Sequence, residues 1–188
     1  MKPLRLFVAL NTPREIRALM SETCGSLAAA GPDVRWEPDG KLHCTLKFLG
    51  DTDPSRLDAI VRSLESAASS IPPLVIRYAG LGTFPHQRDP KVLWIGIECP
   101  GGTLASLQRN VEEHLSAVGC KPEDRPFHPH VTIGRVKSRK GLGNLLRTME
   151  SITFTSEPVT VNQIELVRSD LKPAGSVYTN LKSIPLKG

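Results

Sequence analysis

Two segments of the chain carry the same tetrapeptide, His-x-Thr-x with apolar fillers, as His43-Cys44-Thr45-Leu46 and His130-Val131-Thr132-Ile133. The elements around each copy are repeated too, and that repetition restricts the folds this chain can adopt. Residues 3–10 read as a buried strand, and Thr12-Pro13-Arg14-Glu15 then forms a capping box with proline at the first helical position. Ile16, Leu19, Met20, Leu27 and Ala28 continue at helical spacing as far as Gly31-Pro32. A short strand around Val34 to Trp36 leads to the His43-bearing strand, Leu42 to Leu49. Asp53-Pro54 opens a second helix with Leu57, Ile60, Val61 and Leu64 on one face.

The order then recurs. Val92 to Glu98 reads as a buried strand. Gly101, Gly102 and Thr103 introduce a helix with Leu104, Leu107, Val111, Leu115 and Val118 inward, ended by Gly119. The strand His130 to Val136 follows, and then a helix burying Leu142, Leu145 and Leu146. His43 lies 31 positions after Thr12, and His130 lies 27 positions after Thr103. Strands around 74–84, 159–168 and 176–184 complete the sheets. The pattern predicts a duplicated α+β fold with pseudo-twofold symmetry, a single bilobal domain over residues 1–188 with no long linker.

Charge and composition narrow the function only slightly. Lysine and arginine outnumber acids 24 to 19, a balance of +5 that suits a polyanion such as RNA but is common among cytosolic proteins. The densest basic group, Arg135, Lys137, Arg139 and Lys140, reads equally as a solvated helix entrance. The apolar stretch Leu6 to Leu10 is too short for a signal-peptide core, and no later stretch approaches a membrane span, so a soluble cytoplasmic protein is expected. The four cysteines form no C-x-x-C pair, which predicts reduced thiols and no zinc site. Gly101-Gly102-Thr103 lacks the Walker lysine, so no ATP site is expected. No cofactor or metal is predicted.

The chemistry resides in the paired motif. In a strand, residues i and i+2 share a face, so each histidine stands beside its own threonine while Cys44 and Val131 point into a core. Two imidazoles with pKa near ~6.5 can supply one general base and one general acid at neutral pH. Threonine hydroxyls can donate to non-bridging phosphate oxygens where charge grows in a transition state. A single His-x-Thr in a strand is usually structural; two at matching places point to a site. Lys47 shares the parity of His43 and Thr45 and could reach a phosphate, although a surface lysine is an equal reading. Arg135 has the opposite parity to His130 and needs a bend near Gly134 to reach the site. His128 reads as shaping a strand entrance, His86 and Arg88 as loop residues, and His114 as solvent-facing on its helix.

These motifs resemble those of the two-histidine (2H) phosphoesterase superfamily, and within it the bacterial and archaeal RNA 2′,3′-cyclic phosphodiesterases, also called 2′-5′ RNA ligases. The resemblance extends to Arg5-Leu6-Phe7-Val8-Ala9-Leu10, Trp36, Lys47-Phe48-Leu49-Gly50, Gly82-Thr83-Phe84-Pro85, Val92-Leu93-Trp94, Arg125-Pro126-Phe127-His128-Pro129 and Leu166-Val167-Arg168-Ser169. Cys44 stands where leucine is more usual. The resemblance implies two antiparallel-type sheets flanking a central groove, helices outside, and hydrolysis of RNA ends bearing a 2′,3′-cyclic phosphate to 2′-phosphomonoesters. It implies His130 as the base that activates water and His43 as the acid that protonates the leaving 3′-oxygen, with Thr45 and Thr132 holding the phosphate. Sequence symmetry alone leaves the direction of that pair open. Lys47 and Arg135 remain candidate substrate contacts. The expected partners are RNA ends, tRNA halves among them, and the expected state is a monomer. Reverse 2′-5′ ligation, a small cyclic-nucleotide phosphodiesterase and a non-catalytic RNA-binding module are the alternatives.

Overall fold

Residues 2–173 and 175–188 are described in the computed structural model. The first repeat unit runs β1 (Leu4–Asn11), α1 (Arg14–Ala28), β2 (Val34–Trp36), β3 (His43–Thr52), α2 (Leu57–Ala68) and β4 (Leu74–Phe84). The second runs β5 (Val92–Glu98), α3 (Thr103–Ala117), β6 (His130–Val136), α4 (Leu142–Ser151), β7 (Val159–Val161) and β8 (Gln163–Lys172), and β9 (Gly175–Pro185) closes the chain. The segment expected as one strand over 159–168 is thus two, divided at Asn162.

The apolar stripes explain the layering. Ile16, Met20 and Leu27 of α1, Ile60 and Leu64 of α2, and Leu104, Leu107, Val111 and Leu115 of α3 are buried in one cluster with Leu6, Val8, Leu10, Cys44, Leu93, Ile95 and Val131 from the strands. Leu19, expected to face inward, is 41% exposed and sits beyond the edge of the α1 stripe. Helix α1 begins at Arg14 with Pro13 as its N-cap residue, and Thr12 is buried without capping it, so the capping-box reading places the start one position early. A smaller cluster of Phe7, Ala9 and Val167, with Tyr178 against it, occupies the other face of the sheet.

The strands form one antiparallel path, β7-β4-β5-β6-β3-β1-β8-β9, with β2 beside β6. Its midpoint is narrow: β3 and β6 join through the single pair Cys44↔Val131. On either side lie two four-stranded arms, β3-β1-β8-β9 and β6-β5-β4-β7. The arms are not the two halves of the sequence. Strand β4, from the first unit, pairs with β5, whereas β8, from the second, pairs with β1. Each unit lends its last strand to the other's sheet.

Both motif strands carry a matching bulge. In β3 the register passes from Ala9↔Thr45 to Val8↔Lys47, leaving Leu46 without a partner. In β6 it passes from Trp94↔Thr132 to Leu93↔Gly134, leaving Ile133 without one. An extra residue reverses the alternation beyond it.

Candidate active site

The Cys44↔Val131 pair determines what faces what. Both side chains are buried, at 1% and 0% exposure, on the helix-covered side. Their neighbours therefore point to the open face, with His43 across from Thr132 and Thr45 across from His130. Antiparallel partners of this kind stand about 4.5–5.5 Å apart at their Cα atoms, so four side chains from two motifs gather in one place.

Each histidine is held in the same way. His43 Nδ1 lies 2.7 Å from the Lys41 carbonyl oxygen, and His130 Nδ1 lies 2.6 Å from that of His128. A carbonyl only accepts, so Nδ1 carries the proton in both rings, and a neutral imidazole then has its lone pair at Nε2. His43 stacks on Phe7 with centroids 4.9 Å apart and meets the edge of Tyr178 at 5.5 Å. His130 meets Phe84 edge-on at 5.0 Å, and His128 packs against Trp94 at 4.8 Å. These contacts fix both ring planes. Neither the Thr45 nor the Thr132 hydroxyl has a protein hydrogen-bond partner among the described residues, so both are free to donate to a ligand.

Burial lowers the pKa of both imidazoles below the ordinary histidine value. For His43 the Lys41 carbonyl and the negative charge of Glu37 oppose that shift, while His130 adds to it. For His130 the His128 carbonyl opposes it, and the His128 and Arg135 charges add to it. Among the neighbouring charges, Glu37 favours a proton on His43 whereas His128 and Arg135 disfavour one on His130, but burial remains the leading effect on both rings and lowers both.

The bulges overturn the parity argument for Lys47 and supply, beside Gly134, the bend that Arg135 needs. Lys47 does not face the site. Past Leu46 it turns to the helix side, where its Nζ lies 2.6 Å from Glu112 Oε1 and 2.8 Å from the Lys121 carbonyl oxygen, and it is 2% exposed. Arg135, past the bulge at Ile133, turns to the open face and pairs with Glu37 at 3.1 Å. Phe48, its counterpart in β3, does the same and lies 6.1 Å from Phe7 between ring centroids. Gly134 occupies the place equivalent to Lys47, and a Cβ there would lie 2.8 Å from Val34.

Glu37 and Tyr178 escaped the sequence reading, and Phe7 entered it only within the Arg5-to-Leu10 resemblance. Glu37 follows Trp36 at the end of a short strand, and Tyr178 lies on β9, with nothing local to flag either. His128 contributes its carbonyl and its ring rather than a catalytic nitrogen. His114 is half-buried on α3, donating Nδ1–H to Asn110 O at 2.9 Å, and His86 and Arg88 sit in an exposed loop. Among the described residues no group of three or more His, Cys, Asp or Glu side chains is placed to hold a metal ion. No helix of the described chain is long and apolar enough to cross a membrane.

Known proteins share both the sequence and the fold. An RNA 2′,3′-cyclic phosphodiesterase of Methanothermobacter thermautotrophicus is 32% identical over 95% of this chain and 97% of its own. One from Aquifex aeolicus is 33% identical over 100% of both chains. Among solved structures, TT0787 of Thermus thermophilus superposes with a TM-score of 0.82 at 28% identity, covering 98% of each chain. LigT of E. coli, solved with 3′-AMP, superposes at 0.77 with 25% identity and 99% coverage of each. The sequence profile of the 2′-5′ RNA ligase superfamily matches residues 6–173, and the paired His-x-Thr-x strands lie within that span. This chain belongs to the 2′-5′ RNA ligase superfamily.

Proposed function

We propose that this chain is an RNA 2′,3′-cyclic phosphodiesterase, which opens the cyclic phosphate at an RNA end to a 2′-phosphomonoester by acid–base catalysis between two histidines. The observation that carries the reading is the doubled arrangement itself. Two imidazoles, each tied through Nδ1 to the carbonyl two residues before it, offer Nε2 across a pair of strands with a free threonine hydroxyl opposite each. In-line displacement at phosphorus needs a base on one side and an acid on the other, with donors to the non-bridging oxygens between them.

His130, next to Arg135 and His128, is the better candidate for the neutral base that takes a proton from water. His43, in the field of Glu37, is the better candidate for the acid that protonates the departing 3′-oxygen. As water adds to phosphorus, the P–O3′ bond breaks, His130 gains a proton and His43 loses one. Thr45 and Thr132 donate to the phosphate oxygens. Ends left by endonucleolytic cleavage, tRNA halves included, are the proposed substrates. With the 5′-hydroxyl of a second RNA end attacking phosphorus in place of water and the 3′-oxygen leaving as before, the same acid–base pair would join the two ends through a 2′-5′ linkage, in keeping with the superfamily's name.

The test is a short RNA with a 2′,3′-cyclic end, incubated in EDTA without ATP, with the product isomers resolved. A 2′-phosphate product is expected, falling by about 10²–10⁴-fold in His43→Gln or His130→Gln. A 3′-phosphate product would overturn the leaving group, and undiminished turnover in either variant would overturn the mechanism.

A further inference from the structure

The pseudo-twofold axis is broken at one position beside each motif. Ala9 of β1 stands opposite Thr45, and Trp94 of β5 stands opposite Thr132, so the two are equivalent. The Trp94 indole lies flat across Gly82, where a Cβ would be 2.1 Å from the ring, and packs against Phe84 at 5.3 Å and His128 at 4.8 Å. It fills its arm. The Ala9 methyl group does not, and a cavity of about 190 Å³ opens there, lined by Phe7, Ala9, His43, Glu165, Tyr178 and Asn180. That is below the usual range for drug-sized ligands and fits a single heterocycle.

The lining has a definite chemistry. The half-buried Tyr178 supplies an aromatic surface against which a base can pack, backed edge-on by Phe7, which is itself buried and stacked on His43. The polar end of the cavity holds one carboxylate, Glu165, beside the amides of Asn11 and Asn180. Glu165, paired with Ala9 across β1 and β8, makes no ion pair among the described residues and accepts only a long bond, 3.4 Å, from Gln163. Burial pushes its carboxyl above the usual range. Asn180 donates its Nδ2–H to Ser183 Oγ at 3.0 Å, which leaves Oδ1 as an acceptor. A half-buried carboxylate without a cation is costly unless a ligand donates to it.

Geometry also says which nucleoside this is. On the reading given above, the 3′-oxygen leaves phosphorus on the side of the acid, His43, so the ribose that bears it lies there, while water enters beside His130. The cavity adjoins His43, and the arm behind the water is plugged by Trp94. We infer that the cavity is the base subsite for the terminal nucleoside and that Glu165 makes it select a base with adjacent N–H donors, guanine, over uracil, whose single N–H is flanked by carbonyls.

The test compares RNAs of one length ending in guanosine or uridine 2′,3′-cyclic phosphate. Wild type is expected to favour guanosine in kcat/KM by about tenfold or more, and Glu165→Gln to bring the ratio to within about threefold at an unchanged Tm. Equilibrium binding of guanosine and uridine 2′-monophosphates, which needs no turnover, is expected to show the same preference and the same collapse. Equal kcat/KM for the two ends in wild type, or a ratio unaltered by Glu165→Gln, would overturn the subsite. Guanosine-selective binding without hydrolysis of either RNA would support the subsite and sink the proposed reaction instead.

Discussion

Replacing Lys47 with methionine separates the two roles this residue could have. Its side chain is 1% exposed, with Nζ 2.6 Å from Glu112 Oε1 and 2.8 Å from the Lys121 carbonyl oxygen. Methionine keeps the unbranched stem and most of its packing, so what is lost is an ion pair and a charge-assisted hydrogen bond. Removing one partner of a fully buried pair costs about 3–5 kcal/mol. Glu112 is 21% exposed and its Oε1 still accepts the Glu123 N–H at 2.9 Å, so the carboxylate keeps one hydrogen bond although its Oε2 is buried without a partner. The expected loss is about 2–3 kcal/mol. At about 2–4 °C per kcal/mol for a chain of this size, Tm falls by about 4–12 °C.

Turnover of the cyclic-phosphate RNA, measured well below the transition, stays within about twofold of wild type, because the ammonium group lies on the helix side of the sheet. Thermal unfolding and steady-state kinetics on one preparation read both quantities. Glu112→Gln should cost a similar amount, and the double variant less than the sum of the two, since the pair is then removed together. A Lys47→Met protein with wild-type Tm and activity reduced tenfold or more would refute the reasoning. The lysine would then be reaching the substrate, and the bulge at Leu46 would not reverse the strand.

Three further outcomes follow from the site. With both histidine pKa values lowered, the free enzyme needs one ring neutral and one protonated, so kcat/KM peaks on the acid side of ~6.5 and falls as pH rises through neutrality; a maximum near pH ~8 would contradict the assigned burial. Arg135→Ala removes a cation from the open face and should raise KM about ten- to a hundredfold, the worth of a charge-assisted contact, while the limb of the pH profile belonging to His130 moves up. An unaltered KM with an unmoved limb would take Arg135 out of the site. The Cys44 thiol is 1% exposed and pushed up to about 12, so peptide mapping after alkylation of the native protein at pH ~8 should find it unmodified. Rapid labelling of Cys44 would show that the β3–β6 junction opens.

What was legible in the sequence depended on how far a local rule had to hold. Placing His43 with Thr45, and His130 with Thr132, needs alternation over only three residues, and the apolar Cys44 and Val131 between them agreed with it. Lys47 lies one step beyond an unpaired residue. Leu46, Phe48 and Leu49 are all apolar, so no polar residue marked where the period slipped. On the other strand Gly134, next to the slip, was a visible signal, and Arg135 is reached through the bend there. Glu37 pairs with a residue 98 positions away and is invisible to local pattern. Glu165 and Tyr178 lie on strands that reach the His43 arm only through the exchange of β4 and β8. Periodicity reports which side of a strand is buried and says nothing about which sheet that strand will join.

That exchange also governs the order in which the molecule can be completed as it is made. Synthesis supplies β1 and β3 early, yet the partner on the outer flank of β1 is β8, and about 150 residues must be translated before it appears. Until then β1 presents an unsatisfied edge with Phe7 and Ala9 uncovered, the kind of surface on which nascent chains pair wrongly or recruit chaperones. Most of the stabilising contacts join residues distant in sequence, which favours slow folding that cannot be completed until β8 has been made. The His43 side of the histidine pair, the first to be translated, is therefore among the last to be assembled.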